Sequence, residues 1–173
     1  MSKESMIWFE HEKCLQCHGC EVACRSWRGL AEGVRYRRVL NVWRGDYPNV
    51  KSHSVSIECL HCVDPECAAI CPVKAIRKRE SDGLVLADGD LCTGCRACLD
   101  GCFYAVPQFG PDGRMQMCDL CIVQTAREYG PPCVATCPGG ALSLREVKIR
   151  EKQRYQKTML SLIKQSGTGS MQP

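Results

Sequence analysis

Cys14-Leu15-Gln16-Cys17-His18-Gly19-Cys20-Glu21-Val22-Ala23-Cys24 carries four cysteines spaced C-x2-C-x2-C-x3-C. Three thiols this close can wrap one polynuclear metal group, and the fourth falls just past the loop, where a helix can begin. A second group, Cys59, Cys62, Cys67 and Cys71, reads C-x2-C-x4-C-x3-C and runs into Pro72. The third, Cys92, Cys95, Cys98 and Cys102, repeats the spacing of the first. The fourth, Cys118, Cys121, Cys133 and Cys137, widens to C-x2-C-x11-C-x3-C and runs into Pro138. These four groups use all 16 cysteines of the 173-residue chain.

A cubane cluster needs four thiolates at the corners of a tetrahedron. A C-x2-C-x2-C loop presents three of them, with backbone N–H groups turned inward. In two-cluster runs the fourth cysteine ligates the neighbouring cluster, so groups work in pairs. Spacing leaves open whether the first group pairs with the second or with the fourth. Cys71-Pro72-Val73-Lys74-Ala75-Ile76 and Cys137-Pro138-Gly139-Gly140-Ala141-Leu142 resemble the Cys-Pro-x-x-Ala-Ile ending of bacterial ferredoxins, where the chain turns into a strand. Short strands are also read at Met6-Ile7-Trp8-Phe9 and within Asp82 to Asp88, giving a fourfold pseudo-repeat of strand, cluster loop and short helix. A zinc-stabilised scaffold is the rival reading. Zinc sites, however, pair two C-x2-C knuckles or mix in His, not triplets plus one. The C-x3-C-x2-C of radical S-adenosylmethionine enzymes is absent from the sequence.

Hydrophobic residues reach 45% only with the cysteines counted in, and 6% of residues are aromatic. A domain this short of core-formers relies on metals or disulfides. Met1 to Glu10 shows no basic n-region, apolar h-region or cleavage site, so a cytoplasmic protein is expected, with export bound to a signal-bearing partner as the other route. That setting favours metal over disulfides. No apolar run is long enough to span a membrane. The formal charge is +4. Four oxidised clusters, at about −2 each with their thiolates, bring the loaded protein to about −4. Arg145 to Lys164 holds seven Lys and Arg against two Glu, a basic segment on an acidic body.

That segment, Arg145 to Lys164, is predicted to be a helix with Val147, Ile149, Tyr155, Leu160, Leu162 and Ile163 as its apolar positions. They make no clean 3.6-residue stripe, so partial burial is expected, with docking onto a catalytic subunit or a second copy as the role. Packing on its own chain is the plainer alternative. Gln165 to Pro173 is expected to be a disordered tail. Val34 to Trp43 and Lys51 to Glu58 read as a hairpin turning at Gly45-Asp46-Tyr47-Pro48-Asn49. Arg35, Arg37 and Arg38 are placed on a charged strand face, either solvated or turned to an acidic partner. His18 and His61 lie inside cluster loops as bystanders, because cysteine fills every ligand place. Trp27, Trp43, Phe103 and Tyr104 are expected to pack on or shield clusters. No nucleophile triad, dinucleotide fingerprint or nucleic-acid motif is present, so catalysis is expected to belong to a partner.

From Ser5 to Leu144 the four-group order, with its widened fourth group, resembles the iron–sulfur subunits of molybdenum and tungsten oxidoreductases. Those of the dimethyl sulfoxide, polysulfide, thiosulfate and tetrathionate reductases are among them. Some relatives replace the second cysteine of the third group with Trp and bind a [3Fe-4S] cluster. Cys95 stands there in this chain, so the resemblance implies four [4Fe-4S] clusters. It implies Cys14, Cys17, Cys20 and Cys137 for cluster one, and Cys24, Cys118, Cys121 and Cys133 for cluster two. It implies Cys59, Cys62, Cys67 and Cys102 for cluster three, and Cys71, Cys92, Cys95 and Cys98 for cluster four.

The implied fold is α+β, with two ferredoxin-like two-cluster modules of short strands and helices. The outer module takes residues 1–50 and 103–144, the inserted one 51–102; a basic helix, 145–164, and a tail, 165–173, follow. The implied role is a wire between a large molybdenum- or tungsten-pterin catalytic subunit and a second redox partner, such as a flavin- or quinone-linked subunit. Self-association through the C-terminal helix is a further expectation. The short loops are similar to the small iron–sulfur subunit of bacterial tungsten aldehyde oxidoreductases. A sulfoxide or sulfur-oxyanion reductase subunit and a free soluble polyferredoxin are the alternatives.

Overall fold

β1 (Lys3–Phe9) lies antiparallel to β8 (Leu142–Lys148), with Phe9 opposite Leu142 and Lys3 opposite Lys148. The first and last strands therefore share one sheet. The computed structural model describes residues 3–122 and 130–165. β2 (Arg38–Arg44) and β3 (Lys51–Ile57) form a hairpin, as the alternation at Val55 and Ile57 foretells. Gly45, at φ +84°, begins its turn, where a Cβ would strike the Asn49 carbonyl oxygen at 2.5 Å. β4 (Ile76–Lys78) pairs with β5 (Val85–Ala87), and β6 (Gln108–Phe109) with β7 (Met115–Gln116). The helices are α1 (Gly19–Arg28), the single turns α2 (Glu66–Ala69), α3 (Ala97–Asp100) and α4 (Pro132–Ala135), and α5 (Ile149–Gln165). Small antiparallel pairs and short helices make an α+β fold of ferredoxin-like proportions.

The sequence repeat has a backbone counterpart. Three residues after Cys71, Cys102 and Cys137 come Lys74, Ala105 and Gly140, at φ +51°, +46° and +60°. Each donates its N–H to the carbonyl of that cysteine, at 3.2, 2.9 and 3.1 Å. The chain is thus reversed by the same left-handed turn in three groups. The first group departs from it: α1 runs on past Cys24 and closes at Gly29, φ +58°, with Leu30 N–H donating to the Arg25 carbonyl. That is a Schellman ending, which a left-handed glycine favours.

Two apolar clusters fill the interior. The larger joins Met6, Ile7 and Phe9 of β1 to Val55 and Ile57 of β3, Leu142 and Val147 of β8, and Tyr155, Met159 and Ile163 of α5. The smaller gathers Ile76, Val85, Cys98, Met115 and Met117. The β6–β7 hairpin therefore packs toward the third cysteine group: Met115 N–H donates to Cys92 Sγ, and Arg114 pairs with Asp90. Sequence order alone places these residues with the fourth group, because the chain has already passed Cys102.

Helix α5 differs from expectation in its start and its buried face. Arg145 to Lys148 are strand, held in the ladder opposite Lys3 to Met6, so the helix begins at Ile149. The buried face is Lys152, Tyr155, Gln156, Met159 and Ile163, a regular helical stripe. Two of its five members are polar, and so the apolar residues alone look irregular. α5 packs on its own chain, against β1, β3 and β8. Residues 166–173 of the expected tail lie outside the described residues, and Gln165 is the last residue of the helix. Of the four aromatics expected over clusters, Tyr104 is buried; Trp27, Trp43 and Phe103 are exposed. No helix among the described residues is long and apolar enough to cross a membrane.

Candidate iron–sulfur centres

The cysteine loops are built on left-handed residues. Gln16 and His18 both stand at φ +56°, Gly94 at +72° and Arg96 at +64°, at matching places in the first and third groups. His61 at +46° and Leu120 at +54° occupy the corresponding site in the second and fourth. Such conformations cost non-glycine residues free energy, and they turn successive N–H groups into an anion-binding concavity. Two such loop N–H groups donate to sulfur, His61 to Cys59 Sγ at 3.4 Å and Gly94 to Cys92 Sγ at 3.4 Å, and two more arrive from outside the loops, Met115 N–H of β7 to Cys92 Sγ at 3.3 Å and Ala141 N–H to Cys137 Sγ at 3.3 Å. N–H donation to sulfur favours thiolate over thiol.

Tertiary folding brings the groups together in fours. Cys14, Cys17, Cys20 and Cys137 line one cavity. Cys59, Cys62, Cys67 and Cys102 line a second, walled by Val85, Val106 and Met117. Cys71, Cys92, Cys95 and Cys98 line a third, beside Ile76 and Phe109. Cys24, Cys118, Cys121 and Cys133 are all buried, with Cys24 in electrostatic reach of Cys133 and Cys121. Packing of α1 against α4 carries Cys24 to Cys133.

No three Cys, His, Asp or Glu among the described residues converge closely enough for one metal ion. The thiols instead stand around cavities. A four-iron group, in which each thiolate takes a separate iron, fits that spread better than a single tetrahedral zinc does.

Burial pushes these thiols up. Cys24 and Cys67 rise to about 12, and Cys20, Cys62, Cys98 and Cys121 to about 11. Cys59 and Cys118 go well above the ordinary thiol value, again through burial. Without metal they stay protonated. Iron must displace those protons, so loading is coupled to proton release and to folding.

Exposure of the cysteine residues is graded. Cys17 and Cys95 are exposed, whereas Cys24 and its three companions are buried. The exposed pair belongs to the cavities of the first and third groups.

Charged side chains inside the fold are residues that sequence reasoning missed. Arg37, expected on a strand face, is 1% exposed, and Glu58 opposite it is 2% exposed; Arg37 Nη1 lies 2.7 Å from Glu58 Oε2. Arg38 is half-buried and donates to the Tyr104 and Ala105 carbonyls, and only Arg35 of the three faces solvent. Lys152, fully buried, pairs with Glu4 at 2.9 Å, and Lys78 pairs with the same carboxylate at 2.8 Å. Burial works to raise the Glu4 carboxyl, but the two lysines outweigh it and hold it below its usual value. His61 is buried in its loop, accepting from Val85 N–H at Nδ1; burial drives its pKa down to about 3, so it is neutral. His18 is partly exposed and meets Glu21 and Asn41. Glu58 beside Cys59 and the helical spacing of Lys152 to Tyr155 were the available signals.

The 4Fe-4S dicluster domain model matches residues 50–147. One chain of the anaerobic dimethyl sulfoxide reductase of Escherichia coli is 36% identical, over 88% of this chain and 78% of its own length. The chain belongs to the 4Fe-4S dicluster family. The formate dehydrogenase iron-sulfur subunit of Wolinella succinogenes is also 36% identical, over 82% of each chain. A sulfite dehydrogenase subunit of Allochromatium vinosum is 30% identical, over 83% of this chain and 72% of its own length. As a dicluster-family member the protein carries multiple [4Fe-4S] clusters and is an electron-transfer subunit of an oxidoreductase complex, not a catalyst by itself.

Proposed function

We propose that this chain holds four [4Fe-4S] clusters as a wire between a molybdenum- or tungsten-pterin catalytic subunit and a second redox partner. The observation that carries the proposal is that cysteines of different groups ring the same cavities, three from one group and one from another. Cluster one takes Cys14, Cys17, Cys20 and Cys137, and cluster two Cys24, Cys118, Cys121 and Cys133. Cluster three takes Cys59, Cys62, Cys67 and Cys102, and cluster four Cys71, Cys92, Cys95 and Cys98. One and two form an outer module, three and four an inserted one.

The order along the wire is one, two, three, four. Three electrostatic proximities between sets support it: Cys20 is within reach of Cys133, Cys118 of Cys59, and Cys67 of Cys98. Clusters one and four are read as the electron ports, a reading supported by exposed Cys17 and Cys95, with Leu15 and Val22 exposed beside one and Leu91 near the other. Each cluster supplies one-electron storage; the chain's residues set potential through burial, N–H···S bonds and charge.

The relatives act, by their names, on dimethyl sulfoxide, formate and sulfite. An aldehyde oxidoreductase is the finer reading for this chain, supported by its short loops. Native purification decides. About sixteen irons per chain, four reducible paramagnetic signals and a co-purifying pterin subunit are expected, and the substrate that this subunit turns over names the complex. A protein that purifies loaded and alone is a free polyferredoxin. Zinc in place of iron would reject the wire.

A further inference from the structure

The ladder of the β2–β3 hairpin starts with Arg38 opposite Ile57, and Arg37 and Glu58 flank it just beyond that end. Both are inside the protein. Arg37 Nη1 donates to Ser56 Oγ at 2.7 Å as well as meeting Glu58. Ser56, buried, lines the same cavity as Cys20. The guanidinium is also within electrostatic reach of Cys133, Cys20 and Cys118, sulfurs assigned above to clusters one and two. It therefore stands between the two clusters of the outer module.

Two features do not suit a merely structural ion pair. A guanidinium fork can grip a carboxylate with two nitrogens, but only Nη1 is engaged here. Nη2 is buried and has no hydrogen-bond partner in the protein; Glu58 Oε2 is likewise without one, its 2.7 Å approach to Nη1 being an ion pair without hydrogen-bond geometry. Leaving a charged donor unpaired inside a protein is costly. Sulfur of the clusters held by Cys20, Cys118 and Cys133, the cysteines within electrostatic reach of this guanidinium, is an acceptor of the right kind. Lys152, the other fully buried cation among the described residues, is within electrostatic reach of Cys59 and so belongs with cluster three. Arg37 serves the outer pair.

We propose that Arg37 is a positioning residue for electron transfer, raising the reduction potentials of clusters one and two with its fixed charge and an Nη2 hydrogen bond to cluster sulfur. The proposal rests on the four-cluster reading. Arg37 keeps its proton throughout, so what it stabilises is the gain of a single electron from a redox partner, with no bond made or broken. It would make the outer pair a more favourable resting place for electrons than the same sulfurs without it.

The test is a potentiometric paramagnetic-resonance titration of the loaded protein and its variants. Arg37→Gln/Glu58→Gln compared with Glu58→Gln isolates the guanidinium charge without stranding the glutamate. The double variant is expected to show lower midpoints for the outer clusters than the single, while cluster four is unmoved. Arg37→Lys keeps the charge and loses the fork, so a smaller downward shift from the natural protein is expected. Burial pushes the Glu58 carboxyl up to about 7, so at a pH well above that value Glu58→Gln alone removes the opposing charge and should raise the outer midpoints, a result that does not depend on any Arg37 variant folding. Full iron content with unchanged outer midpoints in these variants overturns the role of Arg37. A natural protein lacking iron overturns the cluster reading instead.

Discussion

Lys152 Nζ lies 2.9 Å from Glu4 Oε2, an ion pair that ties the last helix to the first strand across 148 residues. Glu4 also holds Lys78 from β4, and Lys78 donates to the Val63 carbonyl in the second cysteine group. One carboxylate thus joins β1, the second-group loop and α5. Removing one partner of a buried pair costs about 3–5 kcal/mol. Lys152→Met and Glu4→Gln are each expected to lower the temperature at which visible cluster absorbance is lost. A Glu4→Leu/Lys152→Met double variant is expected to recover much of the loss. The Glu4 pKa is below its ordinary 4.5, so its contribution is complete above that value and fades as pH falls through the lower, folded-state pKa. The acid side of the stability curve should therefore flatten in Glu4→Gln.

Gly83 stands at φ +73°, and a Cβ there would overlap the Glu4 carboxyl group. Gly83→Ala therefore meets both backbone strain and a clash with the hub of that network. A loss of about 1–3 kcal/mol is expected, read by the same thermal assay, with Gly89→Ala, in open space, as the neutral control.

Tyr155 Oη accepts the Phe9 N–H at 3.0 Å, and its ring lies 4.4 Å from that of Trp8. Tyr155→Phe keeps the ring contact and strands a buried N–H. About 1–3 kcal/mol should be lost, with hydrogen exchange at Phe9 rising before exchange elsewhere in β1.

Cys71 lines the cavity of Cys92, Cys95 and Cys98, not that of its own group. Cys71→Ser is expected to remove or convert cluster four, taking iron from about sixteen toward twelve per chain. The signal of the cluster held by Cys59, Cys62 and Cys67 should persist. Loss confined to that cluster would show that the crossing is wrong.

The outward face of α5 carries Arg150, Arg154 and Lys157, all three exposed. Because the inward face holds the subunit together, deleting the helix would damage the fold and say nothing specific about docking. Replacing the three cations by Glu leaves the buried stripe alone. Reduced co-purification with the catalytic subunit, at unchanged cluster content, is the expected outcome. Unchanged assembly would place the docking surface elsewhere.

The cluster chemistry was legible before any fold. Sixteen cysteines in four spaced groups are local information: within C-x2-C-x2-C the chain has few ways to present three sulfurs, and the left-handed residues at 16, 18, 94 and 96 show it taking the same one twice. The hairpin and the strand before Cys14 were legible for the same reason, through period-two alternation and turn residues. Which group completes which cavity depends instead on tertiary packing. Cys24 reaches Cys133, and Cys71 reaches Cys92, through helix and loop contacts that spacing does not encode.

Packing also set the fate of charges. Arg37 and Lys152 look like surface cations in a one-dimensional reading, since burial of a charge is stabilised by partners distant in sequence. For Lys152 that partner is Glu4; for Arg37 it is Glu58, with Nη2 left for what the cysteines hold.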